Sequence, residues 1–183
     1  IADSICDVIE EVGSSKFAAV ITDNAAVMQA SWKIIENRYP YIAAYGCAAH
    51  GDNLLIKDIA SLPSNSKTLK ESSKIIQFIN NHHLVNAKFE EKRKEAGIAR
   101  KLSVSVSTRF YSEYTSAKSL LDAKLAVKRL AMENTVLLGN INPKSKSSNV
   151  LSLMNSDEFW DRLQKLVEDL ELPSNVVGEI FFL

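Results

Sequence analysis

The sequence predicts a small α/β unit of short parallel strands followed by an all-helical region, so that helices dominate overall. Two short apolar runs, 17–21 and 41–45, each follow a helical pattern, and this alternation is typical of right-handed units with parallel strands. Beyond about residue 60, the apolar residues recur only at helical spacing. Glycine and proline are sparse, at six and four of 183 residues, which favours helices over an all-β chain.

The first 60 residues predict the order helix, strand, helix, strand. Apolar residues at i, i+3, i+4 and i+7 give the opening helix one buried face, with Gly13 at its end. This face consists of Ile5, Val8, Ile9 and Val12. The run 17–21 predicts a strand buried on both faces, and Asp23 or Asn24 can cap the next helix. Pro40 ends that helix before the second strand at 41–45.

The rest of the chain predicts helices near 55–62 and 69–83, and a long apolar stripe from Phe110 to Leu130. The polar segment 140–149 predicts a mobile loop. A last helix starts near Ser156 and ends at Pro173. We therefore expect two domains, at 1–60 and 61–183, with both chain ends lying inside a longer protein.

The composition, with 46% apolar and 24% charged residues, is that of a folded globular protein. Basic and acidic residues number 22 each, and this neutrality argues against autonomous DNA binding. It says little about a part of a larger protein whose basic surface lies elsewhere. Cys6 and Cys47 are too few for a disulfide scaffold and indicate a reducing compartment. No apolar run approaches the ~20 residues of a membrane span, so we expect no membrane association.

Four short motifs occur in order along the chain. They are Val20-Ile-Thr-Asp-Asn-Ala-Ala26, Cys47-Ala-Ala-His50 with Asn53-Leu54, Thr108-Arg109-Phe110, and Phe159-Trp160 within 157–162. In this order and spacing they resemble the motifs of the hAT superfamily of cut-and-paste DNA transposases and their domesticated relatives. Each motif alone is a weak signal, but the ordered set is specific and covers nearly the whole chain.

The resemblance implies a partial ribonuclease-H-like catalytic core followed by a helical insertion domain. In that fold the second catalytic aspartate follows a central strand, and Asp23 occupies this place. The resemblance therefore makes Asp23 a catalytic residue and a metal ligand. Such sites use two divalent ions held by several carboxylates, with Mg²⁺ or Mn²⁺ as the cofactor in the complete parent. The other interpretation of Asp23 is a helix N-cap.

The other two acids of such a site are not evident in the sequence. Asp3 and Asp7 lie on the opening helix, whereas the first acid of the family lies on an earlier strand. The glutamates near the end of the chain come too early for the third acid. They are Glu168, Glu171 and Glu179. We therefore expect this chain alone to bind no metal and to have no transposase or nuclease activity.

Cys47 and His50 are spaced to lie one turn apart on the same helical face. A zinc ion held by Cys47, His50 and His83 would lack a fourth ligand and would not fit the usual spacing. The other interpretation is a helix start packed by a small thiol and a hydrogen-bonded imidazole, and we expect no structural zinc. The resemblance implies that Cys47, His50 and Asn53 support the active-site region.

Arg109 and Phe110 are the residues that the resemblance assigns to nucleic-acid binding. An aromatic ring at this position would stack on an extruded base, and Arg109 would contact phosphate. The family has tryptophan where Phe110 stands, and this departure fits a decayed or domesticated copy. Alternatively, Phe110 simply begins the core stripe of its helix.

Three functional hypotheses follow. The first is a fragment of a hAT-type transposase core, whose parent acts on transposon ends in the nucleus and forms homo-oligomers through regions outside this chain. The second is a non-catalytic interaction or regulatory module domesticated from a transposase. The third is an unrelated α/β regulatory domain that shares only the Thr-Asp-Asn turn.

Overall fold

A computed structural model describes residues 1–106, 111–133 and 146–182, and the side chains of all these residues except 146–148 and 176–182. The chain divides into two compact units, Ile1–Leu55 and Ile56–Phe182, called here the α/β unit and the helical unit. The described residues form nine α-helices and two short parallel strands. The predicted combination of an α/β part with an all-helical part is therefore confirmed. The ribonuclease-H-like assignment and the boundary at residue 60 stay predictions.

The α/β unit is built on one pair of parallel strands. Helix α1 (Ala2–Val12) and a 3₁₀ turn (Ser14–Lys16) precede β1 (Ala19–Thr22), and α2 (Ala26–Arg38) connects β1 to β2 (Ala43–Gly46). Helix α3 (Ala48–Ser61) follows β2. In the sheet, Ala19 lies opposite Ala43 and Thr22 lies opposite Gly46. Each strand begins two residues later than the apolar runs indicated, at residue 19 instead of 17 and at 43 instead of 41.

The buried face of α1 differs from the predicted one. Ala2, Cys6 and Ile9 are buried, whereas Val8 and Val12 are 52% and 44% exposed. The packing against α2 decides this, because Cys6 and Ile9 share a core cluster with residues of α2. That cluster contains Cys6, Ile9, Ile35, Tyr39, Ile42 and Ala44. Gly13 ends the helix with a positive φ of 100°, a conformation that favours glycine.

The two-stranded sheet is covered on only one face within the described part of the chain. Val20 and Ala44 pack into the core of the α/β unit. On the opposite face, the register partners Ile21 and Tyr45 are 58% and 49% exposed. The prediction that β1 is buried on both faces is therefore wrong, because no other element of the α/β unit packs on the second face.

The helical unit contains six complete helices. They are α4 (Pro63–Asn81), α5 (His83–Glu95), α6 (Ser112–Asp122), α7 (Lys124–Glu133), α8 (Lys146–Asn155) and α9 (Asp157–Phe182). No strand occurs after Gly46 in residues 47–106, 111–133 and 146–182, as the periodicity indicated. Pro63 occupies the first turn of α4, where its missing N–H costs no helical hydrogen bond.

Two boundaries in the helical unit differ from the prediction. Helix α8 begins at Lys146, inside the segment predicted as a loop, and the remainder of that loop, 140–145, lies outside the described residues. Helix α9 continues through Pro173. Proline removes one donor from a helix but does not prevent continuation where packing holds both sides, and Leu170 and Ser174 are both buried. None of the described helices combines the length and apolar composition needed to cross a bilayer.

Trp160 lies at the centre of the helical unit. Its side chain is fully buried, and its indole N–H donates a hydrogen bond to the carbonyl oxygen of Met154 at 2.9 Å. The Phe159 ring packs edge-on against it, with ring centroids 5.2 Å apart. The surrounding cluster draws on α4 to α9. The tryptophan therefore joins the start of α9 to the end of α8 by packing and by one hydrogen bond.

We predict that Trp160→Phe lowers the free energy of unfolding of the helical unit by about 2 kcal/mol. The substitution leaves the buried carbonyl of Met154 without its donor and leaves space in the core. Urea unfolding followed by far-ultraviolet circular dichroism measures the change. The control is Leu172→Ala on the same helix, because Leu172 is 76% exposed. An unfolding midpoint of Trp160→Phe equal to that of the control contradicts the prediction.

Candidate functional site

Two of the four motifs meet at one edge of the sheet. Asp23 directly follows β1 and Cys47 directly follows β2, and the last residues of the two strands lie opposite each other. The backbone N–H of Cys47 donates to the carbonyl oxygen of Thr22 at 2.7 Å. Ligands of parallel α/β structures gather at this carboxyl edge, where loops and helix starts converge. The edge is therefore the candidate functional site.

Asp23 presents an exposed carboxylate at this edge. Its Oδ1 accepts a hydrogen bond from the backbone N–H of Ala25 at 3.0 Å. Its Oδ2 has no hydrogen-bond partner in the described part of the chain. The N-cap of α2 is Ala25, and no side chain caps this helix. The prediction that Asp23 or Asn24 is the N-cap is therefore wrong. Asp23 instead shapes the turn into α2 with one oxygen and leaves the other open to solvent.

Asn24 joins the ends of the two strands. Its amide nitrogen donates to the carbonyl oxygen of Cys47 at 3.3 Å. Its side chain also occupies the space beside Gly46: a Cβ atom on Gly46 would lie 1.6 Å from Oδ1 and 2.8 Å from Cγ of Asn24. Only a residue without a side chain fits at position 46 in this arrangement.

Trp32 holds the same edge from α2. Its indole N–H donates to the hydroxyl oxygen of Thr22 at 2.9 Å, and that hydroxyl donates to the carbonyl oxygen of Asp23, also at 2.9 Å. The ring lies 3.0 Å from the position that a Gly46 Cβ would take. A chain of two hydrogen bonds thus connects the helix to the backbone of Asp23.

The positioning roles of Thr22, Asn24, Trp32 and Gly46 were missed by the sequence reasoning. The one available signal was Gly46 itself, because a glycine at a strand end indicates a close approach of another group. Nothing local in the sequence identifies Asn24 as that group, since the two residue numbers differ by 22.

Cys47, His50 and Asn53 lie at the end of β2 and along the first turns of α3. The side chains of Cys47 and His50 are half-buried, and Asn53 is 5% exposed. Both cysteines of the chain are free thiols. The structure thus places this motif beside Asp23 along the same edge, through the backbone of Cys47. Its supporting role for an active site stays a prediction.

The described side chains do not fit a metal centre by themselves. Across residues 1–106, 111–133 and 146–182, no group of three or more His, Cys, Asp or Glu side chains can hold one ion. A zinc ion on Cys47, His50 and His83 therefore has no matching ligand group among them. A site for two divalent ions needs several carboxylates, and Asp23 supplies one at this edge.

The two remaining motifs have different outcomes. Arg109 and Phe110 lie outside the described residues together with Thr108, so their assignment to nucleic-acid binding stays a prediction. Phe159 and Trp160 are both fully buried in the core of the helical unit. The fourth motif is therefore structural.

Part of the chain matches a known family model. Residues 1–75 match the family model described as a domain of unknown function, DUF659. The matched stretch includes the whole carboxyl edge of the sheet, from Thr22 to Asn53. No curated protein and no solved structure matches the chain.

We predict that Gly46→Ala destabilises the α/β unit by about 2 to 4 kcal/mol. The new methyl group would displace Asn24, break its hydrogen bond to Cys47 and press on the Trp32 ring. Because Trp32 belongs to this unit, its fluorescence during urea unfolding of a Trp160→Phe background measures the loss. The matched control is Gly51→Ala on α3, where the nearest atom is 3.4 Å from the added Cβ. This control should be neutral or stabilise by roughly 0.5–1 kcal/mol.

A double-mutant cycle identifies the cause of the Gly46→Ala effect. Asn24→Ala removes the group that collides, so adding Gly46→Ala to it should cost less than Gly46→Ala costs in the wild type. Strictly additive losses would show that the collision with Asn24 is not the origin of the effect.

Proposed function

We propose that the chain is part of a hAT-type DNA transposase core or of a host protein derived from one, and that Asp23 is one of its catalytic metal-binding acids. The observation that carries the proposal is the open Oδ2 of Asp23 at the carboxyl end of a parallel strand. The reaction class is hydrolysis and transesterification of DNA phosphodiesters in the complete parent. The free thiols of Cys6 and Cys47 agree with a reducing compartment such as the nucleus.

Two further observations support the proposal. The Thr22-Asp23-Asn24 and Cys47-x-x-His50 motifs are adjacent in sequence order and in space. The family model DUF659 covers both motifs, and that family is associated with hAT-type transposase-like proteins. The fold and the match therefore agree with the resemblance that the motifs gave.

The chain's own residues would position a single acid. Thr22, Asn24 and Gly46 fix the backbone on both sides of Asp23, and the Ala25 N–H fixes one carboxylate oxygen. In enzymes of this class, a pair of divalent ions activates the attacking oxygen and stabilises the leaving one. The remaining acids, and with them Mg²⁺ or Mn²⁺, would have to be held by residues beyond those described. We therefore propose that the chain alone does not cleave DNA.

The second candidate is a non-catalytic interaction module derived from a transposase. The half-exposed pair Ile21 and Tyr45, on the uncovered face of the sheet, favours it, because parallel sheets are normally covered on both faces. Phe110 in place of tryptophan agrees with this candidate as well. In this candidate, a partner protein or a second copy of the chain binds to that face. The chain then keeps the fold of the transposase core but not its catalytic activity.

We predict that Asp23→Asn reduces DNA strand cleavage by the complete parent protein about 100-fold or more. The substitution removes the negative charge that an ion at this edge needs, and metal stabilisation of the transition state amounts to several kcal/mol. The assay is Mg²⁺-dependent cleavage of DNA carrying the transposon end. Asp7→Asn on α1 is the matched control, because it makes the same chemical change at an exposed aspartate.

Three results would contradict parts of this proposal. Cleavage by the chain alone in Mg²⁺ would show that the chain already holds a complete site. Equal cleavage by the Asp23→Asn and wild-type parents would remove Asp23 from the chemistry. A folded parent without any cleavage, together with a protein partner bound at Ile21 and Tyr45, would favour the interaction module.

A further inference from the structure

One face of α4 carries a continuous groove within the helical unit. Three adjoining cavities, of about 500, 470 and 340 Å³, follow the helix from Ser61 to His82. The first and second share Lys70 and Lys74 in their walls, and the second and third share Lys74 and Gln77. Because neighbours share walls, the three cavities form one surface, called here the α4 groove.

The α4 groove is basic. Lys67, Lys70 and Lys74 lie at i, i+3 and i+7, which places them on the same helical face. All three are exposed, and none forms an ion pair or hydrogen bond with the described part of the chain. The acidic side chain in its walls, Glu71, accepts a hydrogen bond from Nη2 of Arg162 at 2.9 Å. The three ammonium groups are therefore exposed and have no ion-pair partner among the described carboxylates.

Two lysines of the neighbouring helix are neutralised by carboxylates instead. On the next helix, α5, Lys88 is paired with Glu91, and Lys92 is paired with Glu95 and Glu133. The lysines of α4 differ from these because their ammonium groups are left available. A polyanion is the ligand class that such a row of unpaired lysines recognises.

The far end of the α4 groove has mostly apolar walls, which suit the face of a flat ring. The imidazole of His82 packs against the Phe78 ring with centroids 4.7 Å apart, and its Nδ1 donates to the carbonyl oxygen of Phe78 at 2.8 Å. His82 is exposed and lines this cavity. Three side-chain amides line the same cavity, those of Gln77, Asn81 and Asn149. Its volume of about 340 Å³ lies within the ~300–1,000 Å³ of ligand pockets.

We propose that the α4 groove binds a single-stranded nucleic-acid segment, with phosphates along Lys67, Lys70 and Lys74 and one base against His82. The helix rises ~1.5 Å per residue, so the three lysines span about 10 Å and the cavity at His82 continues the same line. A row of cations ending at an aromatic side chain is the combination by which proteins hold single strands. A duplex is disfavoured because its bases are stacked and cannot present a face to His82.

The α4 groove lies in the helical unit and does not include Asp23. The assignment of the polyanion as nucleic acid, and not as another acidic polymer, rests in part on the proposed function. The proposal that the α4 groove binds some polyanion does not rest on the proposed function, because it follows from the lysines alone.

We predict that the double variant Lys70→Gln with Lys74→Gln binds a single-stranded oligonucleotide about fivefold more weakly than the wild-type chain. Fluorescence anisotropy of a labelled mixed-sequence DNA strand at low salt measures this. The slope of log affinity against log salt should become shallower by about 1.4, because two phosphate contacts are lost. The matched control is Lys94→Gln with Lys165→Gln, which removes two exposed lysines outside the α4 groove and should bind as the wild type does.

His82→Ala tests the base-binding end of the groove. It should weaken oligonucleotide binding about tenfold while leaving heparin binding unchanged, because heparin has no base to stack. Equal binding by the groove variant and its control overturns the proposal. Wild-type affinity of His82→Ala for the oligonucleotide, or a preference for duplex over single strand, overturns the single-stranded assignment. Oligonucleotide binding by the groove variants and DNA cleavage by the Asp23→Asn parent are separate measurements, so a failure of the chemistry at Asp23 and a failure of the α4 groove are distinguishable.

Discussion

The arrangement of the candidate functional site depends on a glycine at position 46, which has no side chain. The side chain of Asn24 occupies the space into which any Cβ at position 46 would project, with Oδ1 only 1.6 Å from that point. This contact brings the residue after Asp23 against the end of β2, and the Asn24 amide then reaches the Cys47 carbonyl. The position of Asp23 relative to the second motif therefore depends on the space beside Gly46 that the Asn24 side chain occupies. The hydrogen bonds of Thr22 and Trp32 reinforce this position.

The motifs that carry the family resemblance have different physical roles. Asp23 has one oxygen engaged by the backbone and one open to solvent, which leaves a charged acceptor available to a ligand. Phe159 and Trp160, in contrast, are fully buried and contribute packing and one hydrogen bond. A residue can thus belong to a family motif because it packs in the core and not because it binds a ligand. The burial of the side chain distinguishes a ligand-binding residue from a core residue, whereas the sequence alone does not.

The sequence predicted the order of elements well because short apolar runs beside turn residues are local signals. It failed where a distant partner decides. The spacing of Val8 and Val12 suits a buried face of α1, but α2 contacts the face of Cys6 and Ile9 instead. Pro173 is a helix breaker by its local chemistry, yet α9 continues because residues on both sides of the proline are buried. The role of Gly46 likewise depends on Asn24, a contact that no local pattern shows.

The net charge of the chain likewise does not show how the charges are distributed over the surface. Equal numbers of acidic and basic residues argued against nucleic-acid binding, but a sum over the chain includes pairs such as Lys92 and Glu95 that cancel each other at 3.1 Å. A ligand responds to the charges within about one Debye length, roughly 10 Å at 0.1 M salt. Over that distance the exposed face of α4 presents Lys67, Lys70 and Lys74, while the nearby carboxylate of Glu71 is bonded to Arg162. A chain without net charge can therefore carry a surface that attracts a polyanion, and neutrality excludes only a uniformly basic protein.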